Sequence, residues 1–424
     1  MRDLWHLVPG DSPTERRNFL VNGVEGALAV AAAAFINPQT VLPALVNRLG
    51  GSNVVVGTLG VLVNVGIYIP QIFAARYVET IPWKKPWAVR YGLTHRMFVL
   101  VMAVAILLLG ADHPGAALWI FLVLFTAMQV VVGVATPGWF DLFAKLTPAR
   151  KRGRLVGLRN SAGGLCAFAC GVCLTWILAR FAFPSSYAIA FFAAFALQMG
   201  SFVLLGELRE TEPSTVSVRR PFFAFLKELP GILTSNPPFR KFINACAILT
   251  FATMPVSFYT VYALEKFSAD ESAIGEFTLI MVAIQVVSAL VTGYLADRYG
   301  NKTALLVASV SLLGASIMAF AAPSLGWFSL VYLLLGINLG TEITARYNMS
   351  IEYGPAKKRS TYVGLMNTLL APFYLSGIIG GILSAWIGLR GVFLLGGLSS
   401  VTGIVYLARQ VKEPRTIMPQ ETHA

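Results

Sequence analysis

The chain reads GVATPGWFDLFAKLTPARKRGRLVGLRNS at residues 133–161 and GTEITARYNMSIEYGPAKKRSTYVGLMNT at residues 340–368. The two stretches align without a gap. Glycine, proline, basic residues and asparagine recur in register, as in Gly133 with Gly340 and Pro148 with Pro355. The shift is close to half of the 424 residues, so the sequence predicts two similar halves.

The composition predicts that both halves lie in a lipid bilayer. Hydrophobic residues make up 56% of the chain and charged residues 12%, and the mean hydropathy is +0.69. A helix needs about 20 apolar residues to cross the hydrocarbon, where the backbone finds no water to bond. Such runs occur at 19–46, 53–75, 97–111, 116–140, 155–180, 186–207, 242–264, 273–296, 303–322, 326–349, 361–386 and 391–409. We therefore predict an all-α integral membrane protein with twelve transmembrane helices in two pseudo-symmetric six-helix bundles.

The predicted bundles occupy 19–207 and 242–409. Residues 1–18 form an N-terminal segment, 208–241 a linker and 410–424 a tail. The linker contains PFFAFLKELPGIL, an amphipathic stretch suited to lie flat among lipid headgroups. The N-terminal segment lacks a short apolar core with a small-residue cleavage site, so we expect no cleaved signal peptide.

Charge predicts the orientation. Of the 33 Lys and Arg residues, all but Arg48, Arg180, Lys266 and Arg390 fall on the side of the chain ends. Short cytoplasmic loops retain positive charge, so we expect a multi-pass protein of the inner or plasma membrane with both termini cytoplasmic. This topology also explains the formal net charge of +13, so we expect the lipid bilayer and not a nucleic acid as partner. We further expect a monomer.

After the eighth predicted span, residues 293–302 read GYLADRYGNK. Glycines let two helices approach closely, and Asp297 and Arg298 can bond to helix ends and charges of neighbouring helices. The stretch is either a breakable lock between helices or a tight turn with a surface ion pair.

At this loop the chain resembles the major facilitator superfamily, whose pattern G-x-L-A-D-R-x-G-x-K is matched at every fixed position. The resemblance covers essentially the whole chain and implies a transporter whose loop locks the inner gate in one state. The first-half loop FAARYVETIPWKKPW keeps the arginine but lacks the expected aspartate, which implies an asymmetric lock. The gating residues implied by the resemblance are Gly293, Asp297, Arg298, Gly300 and Arg76.

Ionisable residues within membrane spans are functional candidates, because they are costly there. Glu25 lies about two turns into the first span. The polar or small residues on its helix face are Asn18, Asn22, Ala29, Ala33 and Asn37. One interpretation is a cavity wall on which Glu25 exchanges protons; the other is a glutamate hydrogen-bonded to neighbouring helices.

Glu342 and Arg346 stand four residues apart on the tenth span, a spacing at which helical side chains meet. They form either an isolated structural pair or an anchor for a charged substrate. The equivalent first-half positions hold Ala135 and Trp139. Together with polar residues at mid-membrane depth, the candidate substrate or proton site is Asn22, Glu25, Asn37, Gln129, Trp139, Tyr259, Tyr262, Asn338, Glu342, Arg346, Asn367 and Tyr374.

No enzyme motif, nucleotide loop or metal-binding spacing is found, and the four cysteines are expected to pack as small apolar residues. We therefore expect no catalytic residues, metal or cofactor. The preferred function is a secondary active transporter that exports an amphipathic metabolite or drug by alternating access, coupled to protons or another ion. The alternatives are proton-coupled or facilitated uptake of a small metabolite, and a non-transporting membrane scaffold or sensor.

Overall fold

The computed structural model describes residues 9, 11–214, 216, 231–355 and 359–417, and these are helical apart from short connections. In the first half the spans are Pro13–Phe35 continued by Val41–Arg48, then Asn53–Val78, Lys85–Leu109, Pro114–Leu146, Ala149–Arg180 and Ser185–Glu207. In the second half they are Pro237–Phe251 continued by Val256–Phe258 and Tyr259–Phe267, then Ser272–Tyr299, Asn301–Ala321, Leu325–Tyr353, and Arg359–Leu370 continued by Ala371–Leu375 and Ser376–Gln410. A short helix, Pro414–Ile417, follows.

The helix Ser376–Gln410 bends at Gly388, whose φ of 68° and ψ of 169° are non-helical, and this bend separates the eleventh and twelfth spans. Eleven helices among the described residues are long and apolar enough to cross a membrane, and the last of them contains both of these spans. The twelve-span prediction is confirmed.

The helices extend beyond the predicted apolar runs. The third span begins at Lys85 and not at residue 97, and the seventh begins at Pro237 and not at residue 242. An apolar run marks only the part of a helix that lies in the hydrocarbon. A helix can extend beyond that run through polar turns at its end, and it can include charged residues that are buried inside the bundle. Residues 221–230, most of the predicted amphipathic stretch of the linker, lie outside the described residues.

The repeat predicts matching contacts, and the matched glycines make them. A Cβ on Gly133 of the fourth span would overlap the carbonyl oxygen of Ile67 in the second span. A Cβ on Gly340 of the tenth span would overlap the carbonyl oxygen of Gln285 in the eighth span. Small residues allow such close packing of helix backbones in membranes. The same pair of spans therefore meets in the same way in each bundle.

The two bundles meet along the fifth and eighth spans and along the second and eleventh spans. We call the side of the bundles at which the first span begins the terminal side, and the other the far side. Hydrogen bonds and an ion pair join the halves on the far side: Thr40 with Thr278, Thr260 with the Gln39 carbonyl oxygen, Asn47 with Glu265, Arg48 with Glu271, and Asn53 with Ser384.

Toward the terminal side, hydrogen bonds and ion pairs hold each half together, as between Lys145 and Glu210 in the first and between Arg415 and Glu352 in the second. Tyr68 of the second span and Tyr347 of the tenth interact across the halves at this level. The bonds that join the halves therefore concentrate on the far side.

Candidate functional site

A cluster of polar aromatic side chains surrounds one buried ion pair where the halves meet. Arg346 pairs with Glu342 one helical turn away, and their side chains are 9% and 19% exposed. Arg346 Nη1 also donates a hydrogen bond of 3.3 Å to the hydroxyl of Tyr374 in the eleventh span. Counted from the end of its helix at Tyr353, Glu342 lies about 16 Å into the bundle at 1.5 Å per residue. The pair therefore sits near mid-membrane.

The first half contributes an aromatic ring to this cluster. Tyr68 of the second span lies with its ring centroid 6.2 Å from that of Tyr374, at 45°. It also interacts electrostatically with Tyr347 and Arg346 of the tenth span. Asn367 completes the cluster by donating a hydrogen bond of 3.2 Å to the hydroxyl of Tyr347. Side chains from the second, tenth and eleventh spans thus converge on one guanidinium.

The guanidinium of Arg346 has a hydrogen-bond donor that is not used within the described residues. Its Nε is buried and has no hydrogen-bond partner among the described residues. A guanidinium offers five donors in a planar fork that matches a carboxylate. Of the predicted residues, Glu342, Arg346, Asn367 and Tyr374 lie together in this cluster. Tyr68 and Tyr347 were missed, because nothing in the sequence shows that the second span faces the tenth.

A second buried network lies inside the first bundle around Glu25. Arg159 of the fifth span donates a hydrogen bond of 2.6 Å to Glu25 Oε2 and one of 2.8 Å to the carbonyl oxygen of Asn22. Ser201 of the sixth span donates to Glu25 Oε1 at 3.1 Å. Arg96 of the third span donates to Ser201 and to the Gln198 carbonyl oxygen. Of the two interpretations of Glu25, these contacts fit the one in which neighbouring helices hold its carboxylate.

Sequence reasoning missed both arginines of this network. Arg96 precedes the predicted third span by one residue, and Arg159 follows a run of basic loop residues, so each was counted with loop charge. Two buried arginines share one carboxylate here. Trp139, predicted as a site residue, covers Arg159 with its ring at 4.8 Å. Trp139 is the repeat equivalent of Arg346, so this repeat position contacts an arginine in the first half and is an arginine in the second.

The remaining predicted residues are dispersed. Asn37 accepts a hydrogen bond from the Gln39 backbone at the break in the first span. Tyr259 and Asn338 are buried in the second bundle, bonded to Ser316 and to the Ala308 carbonyl oxygen. Tyr262 packs against the rings of Phe328 and Phe393, and Gln129 lies buried against Gly66. Their membership of a substrate site stays a prediction. Within the described residues no group of three or more His, Cys, Asp or Glu side chains could hold a metal ion.

The predicted gating loop makes its bonds within the second half. Arg298 donates to the hydroxyl of Tyr294 at 2.9 Å, one turn away on the same helix. Gly300, with φ of 88°, joins the eighth and ninth spans. The tail holds this turn, since Glu413 accepts from the Lys302 backbone at 2.8 Å. Gly293 has open space around its Cα, and Arg76 lies in the last turn of the second span. Their locking role stays a prediction.

Comparison with known proteins agrees with this architecture. The 4-hydroxybenzoate transporter PcaK of Acinetobacter baylyi is 27% identical over 160 residues, 36% of this chain and 34% of that protein. The gallate transporter of Pseudomonas putida is 28% identical over 152 residues, 35% and 33% of the two chains. The 3-(3-hydroxy-phenyl)propionate transporter of Escherichia coli is 31% identical over 160 residues, 35% and 37%. The chain thus spans about a third of the length of these relatives.

A solved D-xylose–proton symporter matches the fold with a TM-score of 0.69 at 14% identity, over 94% of this chain and 98% of that one. The Major Facilitator Superfamily profile matches residues 25–369 and 242–423. The relatives are transporters of small organic solutes and not enzymes. The chain belongs to the Major Facilitator Superfamily, and its structure is that of a multi-pass membrane protein.

Proposed function

We propose that this protein is a proton-coupled secondary active transporter that takes up a small aromatic carboxylate by alternating access. The observation that carries the proposal is the Arg346 cluster. It offers a guanidinium with an unused donor beside the rings of Tyr68 and Tyr374, which come from opposite halves. A carboxylate matches the guanidinium, and an aromatic ring packs against tyrosine faces.

The relatives support this substrate class. The molecules named for three of them, 4-hydroxybenzoate, gallate and 3-(3-hydroxy-phenyl)propionate, all join a carboxylate to a hydroxylated ring. Tyrosine hydroxyls and the amide of Asn367 supply hydrogen-bond partners for ring hydroxyls in the same cluster. A site that holds buried polar groups rejects ligands that leave them unpaired.

We further propose that the terminal side is cytoplasmic and that the protein lies in the plasma membrane. The concentration of basic residues on that side supports this orientation. The concentration of bonds between the halves on the far side then fits a state that opens toward the cytoplasm. The signature loop and the far-side bonds act as the two gates that exchange during transport.

Binding of 4-hydroxybenzoate to the purified protein tests the proposal, with its uncharged amide as the comparison ligand. The wild type is expected to bind the acid and not the amide. Arg346→Gln should weaken binding by at least about tenfold, because a hydrogen-bonded charge is lost. Arg180→Gln, which changes an exposed arginine at the far-side end of the fifth span, is the matched control. Equal binding of acid and amide by the wild type contradicts the proposal.

Export of an amphipathic compound is the second candidate. An apolar cavity of about 500 Å³ lies between the fifth and eighth spans near the far side, lined mainly by Val172, Trp176, Leu279 and Ile280. Such an opening suits a ligand that arrives from the lipid. If lipophilic cations compete with lipid for this cavity while 4-hydroxybenzoate fails to bind, export replaces the leading proposal. A non-transporting scaffold predicts that neither ligand binds.

A further inference from the structure

We infer that Glu342 is the proton-carrying group of this transporter, and that the substrate carboxylate and the proton enter together because the carboxylate displaces Glu342 from Arg346. The inference rests on the proposed function, since it requires an anion that binds Arg346. Its structural basis is that both members of the ion pair project from one helix into the cluster between the halves.

Arg346 has one carboxylate partner. Among the described residues no second Asp or Glu pairs with it; Tyr374, Cys246 and Tyr68 are its other electrostatic neighbours. These groups are neutral at physiological pH. They face the pair from the eleventh, seventh and second spans. A substrate carboxylate that takes a bidentate position on the guanidinium therefore competes with Glu342 alone.

A displaced Glu342 cannot remain ionised at low cost. Its side chain is 19% exposed, and no other cation of the described residues pairs with it. An unpaired carboxylate in a poorly hydrated interior is strongly unfavourable, so it takes a proton delivered from the solvent. One O–H bond forms on the Glu342 carboxyl, and no other covalent bond changes.

Charge neutrality then couples the two solutes. The empty site contains one glutamate anion and one arginine cation, and the loaded site contains a neutral glutamic acid, the arginine and the substrate anion. Both are neutral overall. A site holding the anion without the proton, or the proton without the anion, carries one uncompensated charge. Because burying such a charge is costly, only the empty and fully loaded sites can close.

In the Glu25 network a substrate carboxylate cannot displace the glutamate from its arginine in the same way. Its carboxylate is held by Arg159 and Ser201 from two other spans, and Arg96 adds a second positive charge nearby. Neutralising Glu25 would leave two buried arginines without an anion. Glu25 is thus fixed between spans, whereas a ligand can replace Glu342 by displacing one side chain, and this difference favours Glu342 as the proton-carrying group.

Proton uptake during binding tests the inference. Purified protein in weakly buffered detergent solution at pH 7, with a pH indicator, is mixed with 4-hydroxybenzoate. The wild type should take up about one proton per anion bound, and its affinity should rise by up to about tenfold for each unit by which the pH falls. Glu342→Gln should bind the anion with no proton uptake and with an affinity independent of pH.

Two further variants control the result. Glu342→Asp keeps a titratable carboxyl and should retain proton uptake, and Asp112→Asn, which changes an exposed aspartate between the third and fourth spans, should behave as the wild type. Anion binding by the wild type without proton uptake overturns the inference and leaves the proposed function standing. Undiminished proton uptake by Glu342→Gln also overturns it, because the proton then binds elsewhere. If the wild type does not bind the anion, the proposed function falls and the inference falls with it.

Discussion

Replacing Gly57 with alanine should open the far side of the protein. Gly57 of the second span and Gly377 of the eleventh lie on opposite halves. A Cβ on Gly57 would lie 2.7 Å from the Gly377 carbonyl carbon and still closer to its oxygen, whereas real Cβ atoms essentially never approach within 3.0 Å. The obstacle is backbone, which cannot rotate away as a flexible side chain can. The second and eleventh spans must therefore separate by on the order of 1 Å.

The size of the effect follows from the cost of overpacking, about 1–3 kcal/mol. This cost falls only on the state in which the two spans touch, so it changes the ratio of far-side-closed to far-side-open molecules by about 5- to 150-fold. The gain in helix propensity of alanine over glycine, about 0.5–1 kcal/mol, is present in both states and cancels.

Gly60→Ala is the matched control, one turn along the same helix. Its Cβ would meet only the Ser257 hydroxyl at 3.6 Å, an ordinary contact. After the native cysteines are replaced, spin labels are attached at Ser52→Cys and Asp270→Cys, two exposed far-side positions on opposite halves. Double electron–electron resonance then measures the distance between the two labels. Gly57→Ala should populate a longer distance, and Gly60→Ala should not. Identical distance distributions for both variants would refute the idea that this glycine contact sets the equilibrium.

Two further substitutions test the buried charges. Burial raises the pKa of Glu271 above its ordinary value although Arg48 opposes the shift, so the closed far side binds a proton more tightly than the open one. Closure should therefore strengthen as the pH falls toward the ordinary glutamate range, and Glu271→Gln should remove this pH dependence in the same distance measurement. An unchanged pH dependence in the variant would contradict this role of Glu271. Glu25→Gln should lower the stability of the protein by about 3–5 kcal/mol, because Arg159 loses the one carboxylate that pairs with it among the described residues and Arg96 loses a nearby negative charge. Thermal unfolding followed by size-exclusion chromatography measures the loss, which should exceed that of Ser201→Ala.

The sequence predicts the twelve spans because lipid imposes one strict rule on every crossing segment. The repeat shows that the halves are alike, and Gly133 and Gly340 make equivalent contacts as a result. Neither feature shows which span of one half faces which span of the other. Tyr68 therefore escaped notice, although it is the first-half contribution to the central cluster. Local spacing, by contrast, was sufficient to find the Glu342–Arg346 pair.

Arg96 and Arg159 show that the position of a basic residue along the chain does not predict whether its side chain is buried. A basic residue near a predicted span end can lie in a loop, reach toward the headgroups or enter the bundle. Only the three-dimensional structure distinguishes these cases, because a basic side chain that enters the bundle needs a hydrogen-bond acceptor from another span. Here Glu25 of the first span accepts from Arg159, and Ser201 of the sixth span accepts from Arg96.

The two halves thus treat one glutamate–arginine pair in different ways. In the first bundle Glu25 and Arg159 come from different spans, so a change in their bond must move one helix against another. In the second bundle Glu342 and Arg346 share one helix, so rotation of their side chains is enough to separate them. A pair within one helix can respond to a ligand without disturbing the packing, whereas a pair between helices holds the packing together. The asymmetry gives the first half the more rigid pair and the second half the pair that side-chain rotation can separate, as the proposed role of Glu342 requires.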